Sequence, residues 1–183
     1  MTTTTVRVPT PVAAPPGLVR TARVTGLLYL GLAVTGLLGY VIVRAQIVVD
    51  GDPDATLAKL IDQQSLARFG VMLELAIVLT QTLCALWFFR LFRSVDAFAA
   101  ACIAVFGVVN AVAIMGSAAT LGTAVEVAGG ALDQATDTAG TVALLYLVSE
   151  QLWAVGAVFF GLWLIPMGWL AWRSGWMPSA LGW

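Results

Sequence analysis

The apolar residues of this chain form four long runs, and shorter polar segments separate them. Each run holds roughly twenty residues, which is the length that a helix needs to cross a hydrocarbon core about 30 Å thick. The last apolar stretch, 142–172, is longer than one perpendicular span needs, so we expect it to tilt or to begin outside the hydrocarbon. The pattern predicts an all-α, polytopic integral membrane bundle of about four transmembrane helices, near 24–43, 69–89, 97–121 and 151–172.

The polar segments define the remaining organisation. Residues 1–17 are rich in Thr, Pro and Ala, which predicts a disordered N-terminal tail before a single transmembrane helical domain at 18–183. Between the first two spans, a turn cluster at 50–54 precedes 55–66, whose spaced apolar positions predict a short amphipathic helix on the membrane surface. The short link 90–96 implies an antiparallel helix pair.

The basic residues predict the orientation of the chain. We expect the N-terminus and the C-terminus in the cytoplasm. With this orientation six of the nine basic residues lie on the cytoplasmic side and only Arg44, Lys59 and Arg68 lie outside, in agreement with the positive-inside rule. Arg supplies eight of the nine basic residues, a bias typical of GC-rich bacterial genomes. We therefore expect a protein of the bacterial cytoplasmic, or inner, membrane.

Composition excludes several classes of function. Hydrophobic residues make up 60% of the 183 residues and charged residues 10%, with a mean hydropathy of +0.94, so a water-soluble fold could not bury the apolar surface. A net charge of −1 argues against a nucleic-acid partner and leaves the lipid bilayer as the expected surroundings. Because the sequence has no histidine, we expect no cofactor, no metal site, no catalytic residue and no enzymatic activity.

Four polar side chains fall within or beside the spans and could together line one polar track: Glu74, Gln81, Asn110 and Glu150. An ionisable group at the depth of Glu74 is expensive enough to count as a functional candidate. The alternative is structural, with Glu74 paired to Arg68 or Arg44, Gln81 and Asn110 hydrogen-bonding between helices, and Glu150 at the interface. The spacing of these four residues is compatible with both interpretations, and we favour the structural one.

Small residues indicate where helices could pack closely. In the last span, Ala154, Gly161 and Gly168 repeat at every seventh position, with Ala157 beside them, and we interpret these four residues as a helix-packing seam. The partner across this seam would be a second copy of the chain or another membrane protein.

Four segments resemble a bacterial membrane family known as domain of unknown function 4386. They are RTARVTGLLYLGLAVTG at Arg20–Gly36, GVMLEL at Gly70–Leu75, GAVFFGL at Gly156–Leu162 and RSGWMPSALG at Arg173–Gly182. The resemblance implies a multi-span membrane protein and no known activity. Members of the family usually continue into two further apolar helices after the last segment, so we expect this chain to be either a shortened member or a truncated reading frame that lacks them.

The leading hypothesis is a non-catalytic structural or interaction component of the membrane. The runner-up is a small transporter or proton-coupled permeation unit that uses Glu74, and an enzyme comes third.

The orientation leads to a direct test of topology. A reporter placed after Trp183 or before Arg20 should read cytoplasmic, and one placed at 51–53 should read external, because the basic residues are biased to one side. An external C-terminus would contradict the four-span arrangement.

Overall fold

The computed structural model describes residues 16–131 and 137–176, and every regular element within these ranges is helical. In chain order the elements are α1 (Pro16–Gly36), a π-helical segment (Leu37–Val43), α2 (Arg44–Ile47), α3 (Pro53–Asp62), α4 (Gln64–Phe92), α5 (Ala97–Ala128) and α6 (Thr138–Arg173). The predicted tail lies outside the described residues up to position 15, whereas Pro16 and Gly17 already belong to α1. A proline suits this position because the first helical residues need no N–H donor.

Four helical stretches in the described ranges are long and apolar enough to cross a membrane: Gly17–Ile47, Gln64–Phe92, Ala97–Ala128 and Thr138–Arg173. This confirms the predicted all-α membrane bundle. Large apolar side chains such as Leu27, Leu79 and Val158 are mostly exposed on its surface. Exposed apolar surface of this extent suits a lipid environment and would be costly in water.

Aspartates mark the starts of three helices. The carboxylates of Asp52, Asp96 and Asp137 precede α3, α5 and α6, and each accepts a hydrogen bond of 2.9 Å from a backbone N–H in the first turn. Side-chain caps of this kind satisfy N–H groups that have no partner within the helix. The short α3 therefore begins at Pro53, close to the predicted amphipathic segment 55–66.

The spans pack as antiparallel neighbours in the order α1, α4, α5, α6, and the most extensive contacts join α5 to α6 and α4 to α5. We call the end of the bundle near α3 the α3 end. The opposite end is the arginine end, defined by Arg20, Arg90, Arg93 and Arg173. At the arginine end, Arg173 lies 3.7 Å from the carboxylate of Asp96.

Glycines allow the closest approaches between neighbouring spans. A Cβ atom at Gly107 of α5 would lie 2.6 Å from the Cβ of Ala85 on α4. At Gly156 of α6, the added Cβ would lie 2.7 Å from the side-chain oxygen of Asn110 on α5. These contacts resemble the small-residue interfaces by which membrane helices approach each other, and they fix α4, α5 and α6 around one interior.

The π-helical segment interrupts the first span just before Arg44. At its end the backbone N–H of Arg44 donates to the carbonyl of Gly39, five residues earlier, instead of the usual four. Such wide turns rotate the residues that follow them relative to a regular α-helix, and they are frequent at functional sites. In this chain the segment presents Tyr40 and Arg44 to α6, where both aromatic and polar contacts are made.

Candidate functional site

Arg44 carries a charge into the bundle near its α3 end. Its side chain is 14% exposed, and its guanidinium donates to the hydroxyl of Ser149 at 3.0 Å and to the backbone carbonyl of Tyr146 at 2.9 Å. The same guanidinium lies over the rings of Tyr40 and Tyr146, 5.4 and 5.6 Å from their centroids. A nearly buried cation needs such partners because desolvation would otherwise cost several kcal/mol.

Glu74 places a carboxyl group inside the same region. Only 3% of the residue is exposed, and its Oε1 atom accepts a hydrogen bond of 3.0 Å from the indole N–H of Trp153. Arg44 and Glu74 border the same small cavity, although the carboxylate within 4 Å of Arg44 is that of Glu150. Glu74 on α4 is thereby hydrogen-bonded to α6. We call Arg44, Glu74, Ser117, Ser149 and Trp153 the polar cluster.

Two serines complete the polar cluster. The hydroxyls of Ser117 on α5 and Ser149 on α6 lie 2.8 Å apart and share a hydrogen bond, and both residues are fully buried. Ser149 also accepts from Arg44. The cluster therefore contains a chain of hydrogen bonds from α5 through α6 to the first span, and buried networks of this type hold one arrangement of helices in preference to others.

One oxygen of the cluster has no hydrogen-bond partner among the described residues. This atom is Oε2 of Glu74. A cavity of about 20 Å³ borders Glu74 and Arg44, which is room for about one water molecule. The carboxylate therefore lies in an enclosed site with one free acceptor.

The surface above the cluster is an open hollow of about 270 Å³ at the α3 end. Arg44 forms part of its wall, together with Glu150 and the turn residues between α2 and α3. The side chain of Glu150 is 57% exposed, and its Oε2 lies 3.9 Å from Nη2 of Arg44. Glu150 is thus the ion-pair partner of Arg44 at the surface.

Gln81 and Asn110 lie further from the α3 end, beside a cavity of about 280 Å³ that is lined mainly by apolar side chains. Gln81 is fully buried, and neither amide atom has a hydrogen-bond partner within the described ranges. Trp153 borders the same cavity while its N–H points to Glu74. We call this space the mid-bundle cavity.

The four residues of the predicted polar track therefore occupy three environments. Glu150 lies at the surface hollow, Glu74 in the enclosed cluster, and Gln81 and Asn110 at the mid-bundle cavity. Trp153 connects the last two environments. Of the two predicted partners of Glu74, Arg44 borders the same small cavity as the carboxylate, whereas Arg68 lies 3.8 Å from Glu126 in an exposed ion pair.

Most of the predicted seam lies on the outer surface of the bundle, and Ala157 also borders the mid-bundle cavity. Ala154, Ala157 and Gly161 are exposed, and a Cβ atom at Gly161 would meet nothing within 4 Å. Gly168 is half-buried. Packing inside the monomer instead uses Gly156, which the sequence analysis did not single out, against Asn110 and Ala113.

Sequence reasoning missed three members of the polar cluster. Trp153 lies near the outer end of the last predicted span, where an aromatic residue is expected to be an interfacial anchor. Ser117 and Ser149 give no signal of their own, because hydroxyls are common in membrane helices and usually bond to their own backbone. A usable signal was present in the spacing, since Ser149 and Trp153 lie one turn apart on the same face of α6.

Metal binding finds no support in the part of the chain that the structure describes. Within it, no group of three or more Cys, Asp or Glu side chains lies close enough together to hold an ion. The arrangement can instead hold a proton or a water molecule at Glu74, or act as an ion pair.

Comparison with known proteins identifies one family. The family described as Domain of unknown function (DUF4386) matches residues 24–183. No curated protein matches the chain, and no solved structure does.

The structure predicts which arginine is energetically coupled to Glu74. Arg44→Gln and Glu74→Gln should each lower the thermal stability of the detergent-solubilised protein, because the first removes hydrogen bonds to Ser149 and Tyr146 and the second replaces the carboxyl group that accepts from Trp153. The double variant should be less destabilised than the sum of the two single variants, by about 0.5–3 kcal/mol.

Arg68→Gln provides the matched control. Because Arg68 pairs with Glu126 in an exposed site, its effect should be small and should add to that of Glu74→Gln. Additive effects of Arg44→Gln and Glu74→Gln would contradict this assignment.

Proposed function

The chain belongs to the DUF4386 family, for which no activity is known, and we propose that it is a non-catalytic membrane component that associates with a second copy of itself. The observation that carries this proposal is the exposed seam on α6. Ala154, Ala157 and Gly161 form a strip of small side chains that the monomer leaves uncovered. Strips of this kind let two membrane helices approach closely, and close approach is a main source of helix association in lipid.

The seam and the polar cluster have separate roles in this proposal. The cluster uses one face of α6, through Ser149 and Trp153, to connect α6 to α4, α5 and the first span. Ala154 and Gly161 of the seam are exposed, and Ala157 borders the mid-bundle cavity one turn from Trp153, so association through the seam leaves the hydrogen bonds of the cluster in place. A second copy is the simplest partner because two identical seams related by a two-fold axis are automatically complementary.

We also propose the location and orientation of the protein. The arginine end would face the cytoplasm of a bacterial cell, with both termini on that side of the inner membrane, because Lys and Arg are enriched in cytoplasmic segments. The α3 end, with its hollow and its acidic residues, would then face outward.

The non-catalytic part of the proposal is supported by the chemistry of the interior. The sequence has no histidine, and the enclosed carboxylate of Glu74 accepts a hydrogen bond from Trp153. A general base needs access to the proton that it removes. The surroundings of Glu74 suit a group that fastens helices together.

A proton-coupled permeation unit is the second candidate. It is favoured by the free Oε2 atom of Glu74 and by the adjacent space for about one water molecule. Glu74 lies between the hollow at the α3 end and the mid-bundle cavity, so in this alternative it would be the central exchange site. Asn110, Gln81 and Glu150 would border the path on either side.

The association proposal predicts the effect of filling the seam. Gly161→Leu should reduce cross-linked dimer in native membranes by about tenfold, since an added side chain prevents backbone contact and loses roughly 1.4 kcal/mol. The monomer should tolerate the change because the space around Gly161 is open.

Gly122→Leu on α5 is the matched control, because its Cβ position is equally unobstructed and lies on another helix. It should leave the dimer fraction unchanged. The proposal would be contradicted if cross-linking in the native membrane yields only monomer, or if the two substitutions have equal effects. If all cross-links join the chain to other proteins, the partner is a different protein and self-association is wrong.

A further inference from the structure

The mid-bundle cavity combines an apolar wall with an unsatisfied amide. Its volume is about 280 Å³, and side chains from all four spans line it, including Leu32, Ile77, Ile114 and Phe160. Pockets for small molecules in proteins are typically apolar and contain a few polar groups that fix orientation. Here the polar groups are the side chains of Gln81 and Asn110, near the middle of α4 and α5.

Gln81 is the member of this wall that packing alone does not explain. The side chain is fully buried, and both its Nε2 and its Oε1 atoms lack a partner in the described structure. An unsatisfied buried polar group costs about 1–3 kcal/mol, and a leucine of similar size would avoid that cost. A bound molecule that supplies the missing hydrogen bonds would offset it.

We propose that the mid-bundle cavity binds a neutral, membrane-dissolved alcohol. Its hydroxyl pairs with the side-chain amide of Gln81, and its apolar skeleton fills the remaining cavity. The amide has both a free donor and a free acceptor, and a hydroxyl is a small group that offers both functions. A ketone or an ester can only accept, so it would leave Oε1 of Gln81 unsatisfied.

The surroundings of the cavity select against charged ligands. Arg44 and Glu74 do not line it, and an ion at this depth would be costly in the apolar bundle without a partner. Lipids with ionic head groups are held at the membrane surface, which places their polar groups away from Gln81. A molecule with a single hydroxyl and no charge can enter the apolar bundle and bring its polar group to Gln81.

The cavity has a route from the hydrocarbon phase. Ala33 of the first span and Ala157 of α6 both line it and are both exposed on the outside of the bundle. The gap between the first span and α6 is therefore flanked by small side chains. A ligand dissolved in the bilayer reaches Gln81 between these two helices without passing through water.

Three probes of equal chain length test the proposal: dodecanol, 2-dodecanone and dodecane. Thermal unfolding of the full chain is followed in detergent with increasing amounts of each probe. Dodecanol should raise the melting temperature at a concentration about tenfold lower than the other two, because it alone satisfies both atoms of the Gln81 amide.

Variants assign the effect to the cavity. Gln81→Leu should abolish the preference for dodecanol and raise the melting temperature without a probe, since it removes an unsatisfied polar group. Gln46→Leu is the matched control, because Gln46 is exposed on α2 and outside the cavity, and it should keep the preference. Ala33→Phe leaves Gln81 in place but narrows the opening of the cavity, so it should weaken stabilisation by dodecanol. This variant tests the proposal even if Gln81→Leu does not fold.

Equal stabilisation by the three probes would overturn the proposal and indicate an apolar space filled by any hydrocarbon chain. A preference for dodecanol that persists in a folded Gln81→Leu variant would also overturn it, because the alcohol would then bind elsewhere. If Gln81→Leu does not fold, stabilisation by dodecanol that Ala33→Phe leaves unchanged would overturn it.

Discussion

A single buried cation constrains the arrangement of this bundle. Arg44 enters the interior at the end of the first span, where neither lipid nor apolar side chains can solvate a guanidinium. The fold supplies hydrogen-bond partners from Ser149 and Tyr146 and a carboxylate 3.9 Å away from Glu150, all on α6. The positions of the first span and α6 relative to one another therefore depend on keeping the charge satisfied. The serine pair extends the same constraint to α5, and the Trp153 hydrogen bond to Glu74 extends it to α4.

Much of the architecture could be predicted because it depends on local properties of the chain. The length of each apolar run and the aspartates before α3, α5 and α6 act on their own segments, so the spans were recognisable from the sequence. Glu74 was recognisable for the same reason, since a carboxylate within an apolar run is conspicuous. The small residues of the α6 seam were also evident, although nothing local says whether they face a neighbour in the same chain.

The partners of Glu74 could not be predicted, because they depend on how the helices are rotated. Arg44 and Arg68 flank the same polar segment in the sequence, and Arg44, which borders the cavity at Glu74, directly follows the π-helical turn that ends at Val43. That turn has no clear sequence signal, since seven apolar residues are equally compatible with a regular α-helix. Trp153 was assigned to the interface by its aromatic character, whereas its N–H is used inside the bundle. The mid-bundle cavity likewise results from packing among four spans.

The central claim is that the polar cluster fastens the helices together and does not conduct protons. The most direct measurement is proton flux into proteoliposomes that carry a pH gradient and a pH-sensitive dye, with the native protein compared to Glu74→Gln and to protein-free vesicles. We expect the same flux in all three preparations, because the carboxylate is enclosed and hydrogen-bonded to Trp153. A flux that the native protein supports and that a folded Glu74→Gln variant loses would contradict it.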